Sequence, residues 1–409
     1  MIQEMRKINI LILSYVHKGG EWIAITRLAN ALNKNQGRKI QFSNISFVEN
    51  YREKYTIFKK QILIPRSKAR RPLSFIKKLF LDFSKSRKAI IKFLEDGEDV
   101  VILATDFLLF LASRSINSAS IKHRLFFFQG LRSKLIENIF QLDYRQIILK
   151  SIERLALISS DIIIVPSSFA RKYALRMLGP LGFLKKFQLI PIGINSVFFQ
   201  FSKKDKNKFR KKLGMKASNK VILYSGRIAK NKGIENLINA FRKYCESEYQ
   251  SILLIVYPTA SADLDVVKNI SLLLKDPNLK NRVKFIKDST LEELAKIYVL
   301  SDISVLASKI EMAPLSLIES LASGTPVIGT RVGNIEELVS KIDHNLLLKD
   351  NSSSEILKGI NYFFSLSMIK RKELENRSKK LAERFKIENS ANILYEFLEK
   401  VKYSNARIN

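Results

Sequence analysis

The chain has 409 residues, of which 46% are hydrophobic, and this length is sufficient for two domains of ordinary size. A single cysteine, Cys245, excludes an internal disulfide framework and is typical of a reducing compartment, while three scattered histidines give no support to a metal cluster. The net charge of +33 favours a polyanionic partner, and it leaves nucleic acid, an anionic membrane and phosphorylated lipid open.

The first half of the chain reads as strands alternating with helices. The apolar runs that predict its strands are 8–15, 99–104, 125–129, 161–168 and 188–195. The run 8–16 is too short to span a membrane and lacks a signal-peptide cleavage site, so we expect a first core strand. Gly19 and Gly20 follow it, and they either let the backbone approach a ligand or form a simple turn.

The segment 52–92 is strongly basic, with fourteen Lys or Arg against two carboxylates. Within it, residues 72–88 predict a helix with Ile76, Phe80 and Phe83 on one apolar face and lysines around it. Such a helix either lies on an anionic bilayer or packs on the core with a solvated basic face. Both interpretations are open from the sequence.

In the second half, a basic loop follows the predicted strand 220–225. Gly226 and Gly233 bound this loop, which carries Arg227, Lys230 and Lys232 and leads into a helix with apolar residues at helical spacing. Loops between a strand and a helix bind anions in α/β folds, and Arg and Lys hold phosphate well. The alternative is a solvated basic loop.

Two carboxylates, Glu311 and Glu319, bracket the start of another predicted helix, with strand-like runs 302–306 and 326–329 on either side. This βαβ pattern predicts a parallel sheet, with Glu311 at the carboxyl end of a strand, where ligands bind. We expect Pro314 in the first helical turn and free N–H groups near 314–316 that suit a phosphate. The two carboxylates then hold a sugar hydroxyl and a ribose diol, or else are solvated glutamates on an ordinary helix.

The domain boundaries are predicted from a charged linker at 202–212. Residues 1–200 are expected to form a first domain and residues 201–379 a second one. Residues from about 380 to 401 predict a final amphipathic helix.

Several motifs in this order resemble the donor-binding half of retaining glycosyltransferase family 4, among the group 1 glycosyltransferases. They are Ser225-Gly-Arg227 with Lys232, the pair Glu311/Glu319, Gly324–Ile328, and Gly333–Leu338. The resemblance is strongest over residues 218–345 and continues in layout over most of the chain. It implies an α/β fold of the GT-B type, two Rossmann-like doubly wound domains facing a central cleft. The first Rossmann-like domain, residues 1–200, would bind the acceptor, and the second, residues 201–379, the nucleotide sugar. The final helix, about 380–401, would return to the first domain, as is common in GT-B proteins.

The resemblance also implies roles for residues. Arg227, Lys232 and Glu311 are the expected catalytic residues: the cations balance the charge of the departing diphosphate, and Glu311 contacts the donor sugar. The expected donor-binding residues are Gly19, Gly20, Gly226, Ala313, Pro314, Leu315 and Glu319, the last on the ribose. No cofactor and no metal are expected, and the Asp-x-Asp spelling at Asp263 and Asp265 is attributed to chance.

One departure concerns the acceptor side. Many relatives carry a histidine near the end of a first-domain strand, whereas this chain has Phe126-Phe-Phe-Gln129 there. Gln129 or Asp106, each at the carboxyl end of a predicted strand, is the candidate replacement.

The leading hypothesis is a hexosyltransferase that moves a sugar from a nucleotide-diphosphate donor to a cell-surface glycan, such as lipopolysaccharide or capsule, or to a lipid-linked oligosaccharide. It would be cytoplasmic, or peripheral on the inner face of the cell membrane through segment 52–92. A catalytically silent GT-B subunit that binds glycan or a partner enzyme is the alternative. No nucleic acid is expected as a partner, because we find no RNA-binding motif and no helix-turn-helix.

Overall fold

The structure, a computed structural model, describes residues 8–16, 20–35, 40–48, 58–65, 72–129 and 144–403. The chain forms two compact units. Unit 1 is Met1–Gly193 with Ile387–Asn409, and unit 2 is Ile194–Lys386. The chain therefore passes between the units twice, at 193/194 and at 386/387.

Unit 1 contains, in its described part, a seven-stranded sheet in the order β3-β2-β1-β4-β5-β6-β7. Its strands are β1 (Ile8–Val16), β2 (Ile40–Val48), β3 (Gln61–Pro65), β4 (Val100–Ala104), β5 (Ile121–Phe127), β6 (Ile162–Val165) and β7 (Lys186–Leu189). All neighbouring strands are parallel. Parallel strands covered by helices on both faces need apolar residues on both faces, which explains the near-continuous apolar runs.

Helices cover both faces of this sheet. They are α1 (Gly20–Asn35), α2 (Pro72–Leu94), α3 (Phe107–Arg114), α4 (Tyr144–Ser159), α5 (Ser168–Leu178) and α15 (Ile387–Tyr403). Helix α15 packs against α1, so the tail helix belongs to unit 1. Helices α2, α3, α4 and α5 contact one another in that order and form the second layer.

Unit 2 contains a six-stranded parallel sheet in the order β10-β9-β8-β11-β12-β13 among the residues described. Its strands are β8 (Lys220–Ser225), β9 (Ser251–Tyr257), β10 (Val283–Lys287), β11 (Ile303–Leu306), β12 (Val327–Thr330) and β13 (Leu347–Leu348). Its helices are α6 (Val197–Gln200), α7 (Lys206–Lys212), α8 (Ile234–Ser247), α9 (Leu264–Leu273), α10 (Leu291–Leu300), α11 (Leu315–Ala322), α12 (Ile335–Ser340), α13 (Ser353–Ser365) and α14 (Met368–Ala382).

The strand order of unit 2 reverses at β8, which pairs with β9 on one side and with β11 on the other. The loops that follow β8 and β11 therefore leave the sheet in opposite directions. In open parallel sheets this switch point is where ligands bind, outside the carboxyl ends of the strands.

A buried ionic cluster ties the start of unit 2 to its sheet. Asp302, just before β11, accepts hydrogen bonds from Arg210 (2.8 Å) and the Val221 N–H (2.7 Å), and it also pairs with Lys206. Lys203 is half-buried beside this cluster and donates to the carbonyls of Val299 (3.0 Å) and Ser301 (2.6 Å). Burial lowers the pKa of Lys203 well below its usual value. Together these contacts fix α7 and the end of α10 to the strands that carry the site.

None of the helices in the described ranges combines the length and the apolar character needed to cross a membrane.

Candidate functional site

Two loops meet at the switch point of unit 2: residues 226–233 after β8, and residues 307–314 after β11. The Lys309 N–H donates to the Asn231 carbonyl at 2.9 Å. Gly233 has φ +68°, and a Cβ on it would lie 2.1 Å from the Ala307 carbonyl oxygen. Only glycine both adopts this backbone conformation at little cost and lets the loops come so close.

The side chains of Lys232 and Glu311 form an ion pair across these loops. Lys232 Nζ lies 2.5 Å from Glu311 Oε1, and both side chains are largely buried. The same oxygen accepts a hydrogen bond from the Ser308 hydroxyl at 2.8 Å. Ser308 is itself held, because its carbonyl accepts from Thr330 Oγ1 at 2.6 Å. One oxygen of Glu311 is thus fixed by two donors, in surroundings where charges interact more strongly than in water.

A third loop, which follows β12, packs against the backbone of Glu311. Gly333 has φ +61°, and a Cβ there would lie 2.7 Å from the Glu311 carbonyl oxygen. The Asn334 N–H donates to the Met312 carbonyl at 3.2 Å. The backbone of residues 311–312 is therefore packed between loops from neighbouring strands.

Arg227 lies on the loop after β8 with an exposed side chain. Its carbonyl accepts a hydrogen bond from the Tyr224 hydroxyl at 2.5 Å. Burial, and then the charge of Glu311, raise the pKa of Tyr224 well above its usual value. Tyr224 therefore stays protonated and continues to donate, which anchors the backbone of Arg227 while the guanidinium remains available for an anion.

Glu319 lies inside α11 and is only 5% exposed. Burial, followed by the negative charge of Glu319, raises the pKa of Tyr298 well above its usual value, and the Tyr298 hydroxyl donates to the Ser316 carbonyl at 3.3 Å. Glu319 lies on α11, which follows β11 beside β8, so it belongs to the same switch-point region.

Helix α11 begins one residue later than its sequence suggests. Pro314 precedes the helix as its N-cap, with ψ 127°, and does not occupy the first turn; no side chain caps the helix there. Since proline has no N–H, the free N–H groups at this end belong to Leu315 and Ser316 and not to 314. Ala313, Pro314 and Leu315 remain adjacent to Glu311 on the chain.

The predicted residues of unit 1 follow neighbouring strands. Gly20 is the first residue of α1, while Gly19 lies outside the described residues. Asp106 follows β4 and caps α3, its Oδ1 accepting from the Leu109 N–H at 2.9 Å. Gln129 follows β5, and its buried Nε2 has no hydrogen-bond partner in the described part of the chain. Because β1, β4 and β5 are neighbours, these positions share one edge of the sheet.

In unit 2, the structure therefore brings Lys232 and Glu311 into contact and places Gly226 and Arg227 on the same loop as Lys232. Sequence reasoning missed Ser308, Tyr224 and Tyr298. Of these three residues, only Ser308 could have been predicted from the sequence, because its hydroxyl lies three residues before the carboxylate Glu311 in a loop that follows a strand. Asp263 of the Asp-x-Asp spelling caps α9 by accepting from the Asp265 N–H at 3.1 Å.

Residues 205–381 match the model of the family described as glycosyl transferases group 1. An uncharacterized glycosyltransferase of Methanocaldococcus jannaschii is 26% identical over 209 residues, which are 50% of this chain and 52% of that protein. The chain thus spans about half the length of this relative.

Two solved structures resemble the whole chain. Sucrose-phosphate synthase of Thermosynechococcus elongatus has a TM-score of 0.80 at 21% identity, covering 97% of this chain and 99% of that one. Anabaena HepE in complex with UDP-glucose has a TM-score of 0.70 at 17% identity, covering 96% and 100%. At these identities the likeness concerns the fold.

The predicted α/β fold class is confirmed: two units with parallel sheets and covering helices, matching GT-B glycosyltransferases. The family match and the fold together support a group 1 glycosyltransferase.

Proposed function

We propose that this protein is a retaining, metal-independent glycosyltransferase of family 4, which transfers a hexose from a nucleotide diphosphate to a glycan or lipid-linked acceptor. The observation that carries the proposal is the buried Lys232–Glu311 pair at the switch point of unit 2, next to the exposed guanidinium of Arg227. Sugar nucleotides suit this site because it combines cations, a carboxylate and a helix N-terminus. Several of the structural neighbours were solved with UDP or a UDP-sugar.

The donor is held mainly by unit 2. Arg227 and Lys232 receive the diphosphate, whose negative charge grows as the glycosidic bond breaks. The N–H groups of Leu315 and Ser316 at the start of α11 add positive potential. Cationic side chains thus supply the charge balance for which other transferases use a metal.

The carboxylates have separate tasks. Glu311 has one oxygen engaged by Lys232 and Ser308, so its second oxygen binds a hydroxyl of the donor sugar. Glu319 binds the ribose hydroxyls. Retention follows if the acceptor attacks the face from which the diphosphate leaves, a route that needs no protein nucleophile.

The acceptor is assigned to unit 1. Asp106 and Gln129 are the candidates for binding its hydroxyl, at the carboxyl ends of β4 and β5, with Gly20 contacting the donor phosphates. The basic helix α2 suits an acceptor carried on an anionic membrane, as in synthesis of lipopolysaccharide or capsule at the inner face of the cell membrane. With these assignments, the protein lies in the cytoplasm and binds peripherally to the inner face of the cell membrane.

The first experiment is a thermal-shift panel of UDP, GDP, ADP and their common sugar conjugates, with EDTA present throughout. A ligand that binds only the folded state raises the melting temperature by mass action. We expect one nucleotide family to shift the protein without metal, and its sugar conjugate to be hydrolysed slowly or transferred.

Three variants locate the site. Glu319→Ala is expected to weaken nucleotide-sugar binding and Arg227→Ala to depress turnover, each by about tenfold, because each loses a charged hydrogen bond. Lys243→Ala, which removes an exposed lysine of α8 in the same unit, is the matched control and should behave as the wild type. Wild-type binding and turnover in both site variants would show that the site lies elsewhere.

A further inference from the structure

The layer formed by α2, α3, α4 and α5 has a one-sided charge. Every side chain of these helices that is both charged and exposed is a lysine or an arginine. Their two carboxylates, Asp82 and Glu153, are each only 1% exposed. We call the outer surface of these helices, together with the turn Gly179–Leu184 that follows α5, the α2–α5 face.

Carboxylates at the margin of this face are largely neutralised. In the turn after α2, Asp96 and Glu98 form ion pairs with Lys60 (2.8 Å) and Lys59 (2.6 Å). Asp99 pairs with Lys122 at 3.0 Å. From residue 162 to residue 204 the sequence contains no Asp or Glu at all. The positive potential of the face is therefore little reduced by acidic neighbours.

Large apolar side chains are exposed among these cations. They are Ile76, Phe80 and Leu81 on α2, and Ile147 and Leu155 on α4. A soluble surface tolerates single exposed apolar residues, whereas a group of them within a cationic layer marks an interaction surface.

The strongest exposure is in the turn Gly179–Leu184, where Phe183 is 92% and Leu184 79% exposed. A Cβ on Gly182 would lie 2.9 Å from a side-chain methyl of Leu175, so glycine lets this turn close onto α5. Phe183 and Leu184 follow Gly182 directly and project into solvent. Lys185 and Lys186 come next, and Lys185 is tied down by donating to the Ser160 carbonyl at 2.9 Å.

We propose that the α2–α5 face docks on an anionic lipid bilayer, with Phe183 and Leu184 entering the apolar part of the bilayer. Lysine and arginine side chains around them meet the phosphate groups of the lipids, while the two apolar side chains leave water. Phe183 and Leu184 lie outside segment 52–92, whereas α2, most of which lies in that segment, contributes cations to the same face. The proposal does not rest on glycosyl transfer, because lipid binding alone tests it.

The charge and the exposed apolar residues of the α2–α5 face favour a lipid bilayer over two other partners, a second copy of the chain and a nucleic acid. A second copy of the chain would bring the same cations against each other, which opposes self-association through this face. A nucleic acid would satisfy the cations but would leave the aliphatic side chains of Ile76, Leu155 and Leu184 in water, because bases stack on aromatic rings. An anionic bilayer satisfies both kinds of side chain.

The test compares sedimentation of the full-length protein with vesicles of phosphatidylcholine alone and of phosphatidylcholine with an equal part of phosphatidylglycerol. We expect binding to the anionic vesicles only. The double variant Phe183→Ser/Leu184→Ser should weaken it about tenfold or more, since it removes the apolar transfer and leaves the charge intact. The variant Lys172→Glu/Arg176→Glu should weaken it as well, through the electrostatic part.

Unit 2 offers a matched control. Met368 and Ile369 are adjacent, apolar and 82% and 84% exposed, so Met368→Ser/Ile369→Ser makes the same chemical change outside the α2–α5 face. This control should bind vesicles as the wild type does. Equal losses in the two serine variants, or no loss in either, would overturn the proposal, as would tight oligonucleotide binding without vesicle binding.

Insertion itself can be observed directly. Trp22 is the single tryptophan, so Phe183→Trp in a Trp22→Phe background places one reporter on the turn. Its fluorescence should shift to the blue on anionic vesicles and be quenched by brominated lipid chains. An unshifted spectrum with bound vesicles would mean that the turn stays in water, contrary to the proposal.

Discussion

At the scale of single residues, Glu311 is the most constrained group of the candidate site. Its Oε1 accepts from both Lys232 and Ser308, and its backbone carbonyl lies against Gly333. A carboxylate with one oxygen fixed in this way presents the other in a defined direction. Under the proposed function, Ser308 is a positioning residue, because it orients the carboxylate of Glu311 that binds the donor sugar.

Replacing Ser308 tests this role. Ser308→Ala is expected to lower kcat about tenfold, or ~1.4 kcal/mol, because a hydrogen bond to a charged group is lost, while nucleotide affinity changes little. Ser308→Thr keeps the hydroxyl and should restore most of the activity. The measurement is steady-state kinetics alongside calorimetric titration with the nucleotide.

Ser320→Ala is the control for this variant. Ser320 is also buried, and its hydroxyl donates to the Thr325 carbonyl at 2.8 Å, away from Glu311. It should lose stability without losing kcat. Equal kcat losses in the two alanine variants would mean that Ser308 only supports the fold.

Residue types and spacing were enough to single out Arg227, Lys232, Glu311 and Glu319, because each is a charged residue on a loop or helix beside an apolar strand. That Lys232 and Glu311 form an ion pair was not predictable, since 79 residues separate them and the contact arises from β8 and β11 being neighbours. Pro314 was expected inside the helix. Pro314 instead precedes the helix, because its ψ angle is 127°. This angle could not be predicted from the sequence.

At the scale of elements, the short helix α7 is held by charge as well as by the apolar packing of Phe209. Asp302 binds Arg210, Lys206 and the N–H of Val221, and so joins α7 to the start of β8. Burial raises the pKa of Asp302, but the charges of Lys206 and Arg210 and the hydrogen bonds lower it by more. The pKa of Asp302 is therefore below its usual value.

This cluster predicts a pH dependence. A carboxyl whose folded pKa is lowered stabilises the fold above its unfolded pKa of about 3.9, and that stability is lost as the pH falls towards the folded value. Asp302→Asn should cost about 3–5 kcal/mol at neutral pH, because it leaves buried cations uncompensated. The difference from the wild type should narrow below about pH 4.

Urea unfolding at neutral and acidic pH measures this effect. Asp265→Asn, on the exposed side of α9, is the control and should be neutral at both. A cost for Asp302→Asn that stays constant down to pH 3 would contradict a lowered pKa.

The elements that the sequence predicted are those with uninterrupted apolar runs, such as β8 and β9. Strand β2 was missed because Ser43, Asn44 and Ser46 break its pattern. In the fold, Asn44 donates to the Ile12 carbonyl at 3.1 Å, and Ser46 contacts the Ser14 hydroxyl at 3.0 Å. Polar residues can occupy a central strand when neighbouring strands satisfy them, and only the folded sheet reveals that. The strand expected at 188–195 ends instead at Leu189, shortly before Pro191.

At the scale of the whole molecule, each unit has a separate hydrophobic core, and the tail helix contributes to that of unit 1. Leu398 on α15 and Leu374 on α14 are both fully buried, one in each unit. Leu398→Ala and Leu374→Ala should each cost about 2–5 kcal/mol.

Hydrogen exchange followed by mass spectrometry should separate the two substitutions. Leu398→Ala is expected to raise exchange in β1 and α1, and to leave the strands β8 and β11 as in the wild type. Leu374→Ala should do the reverse. Raised exchange in both units from either substitution would show that the two cores unfold as one.

The double passage of the chain between units has a consequence for how the protein is made. Unit 2 is inserted into unit 1, and its ends are joined by a hydrogen bond from the Ile194 N–H to the Phe385 carbonyl at 2.9 Å. A ribosome adding about 5–20 residues per second needs roughly ten to forty seconds to synthesise that insert. Throughout that time unit 1 lacks α15, and the surface of α1 that this helix covers is open to chaperones and proteases. Unit 2 can thus finish folding while unit 1, most of which is synthesised first, still lacks its last helix.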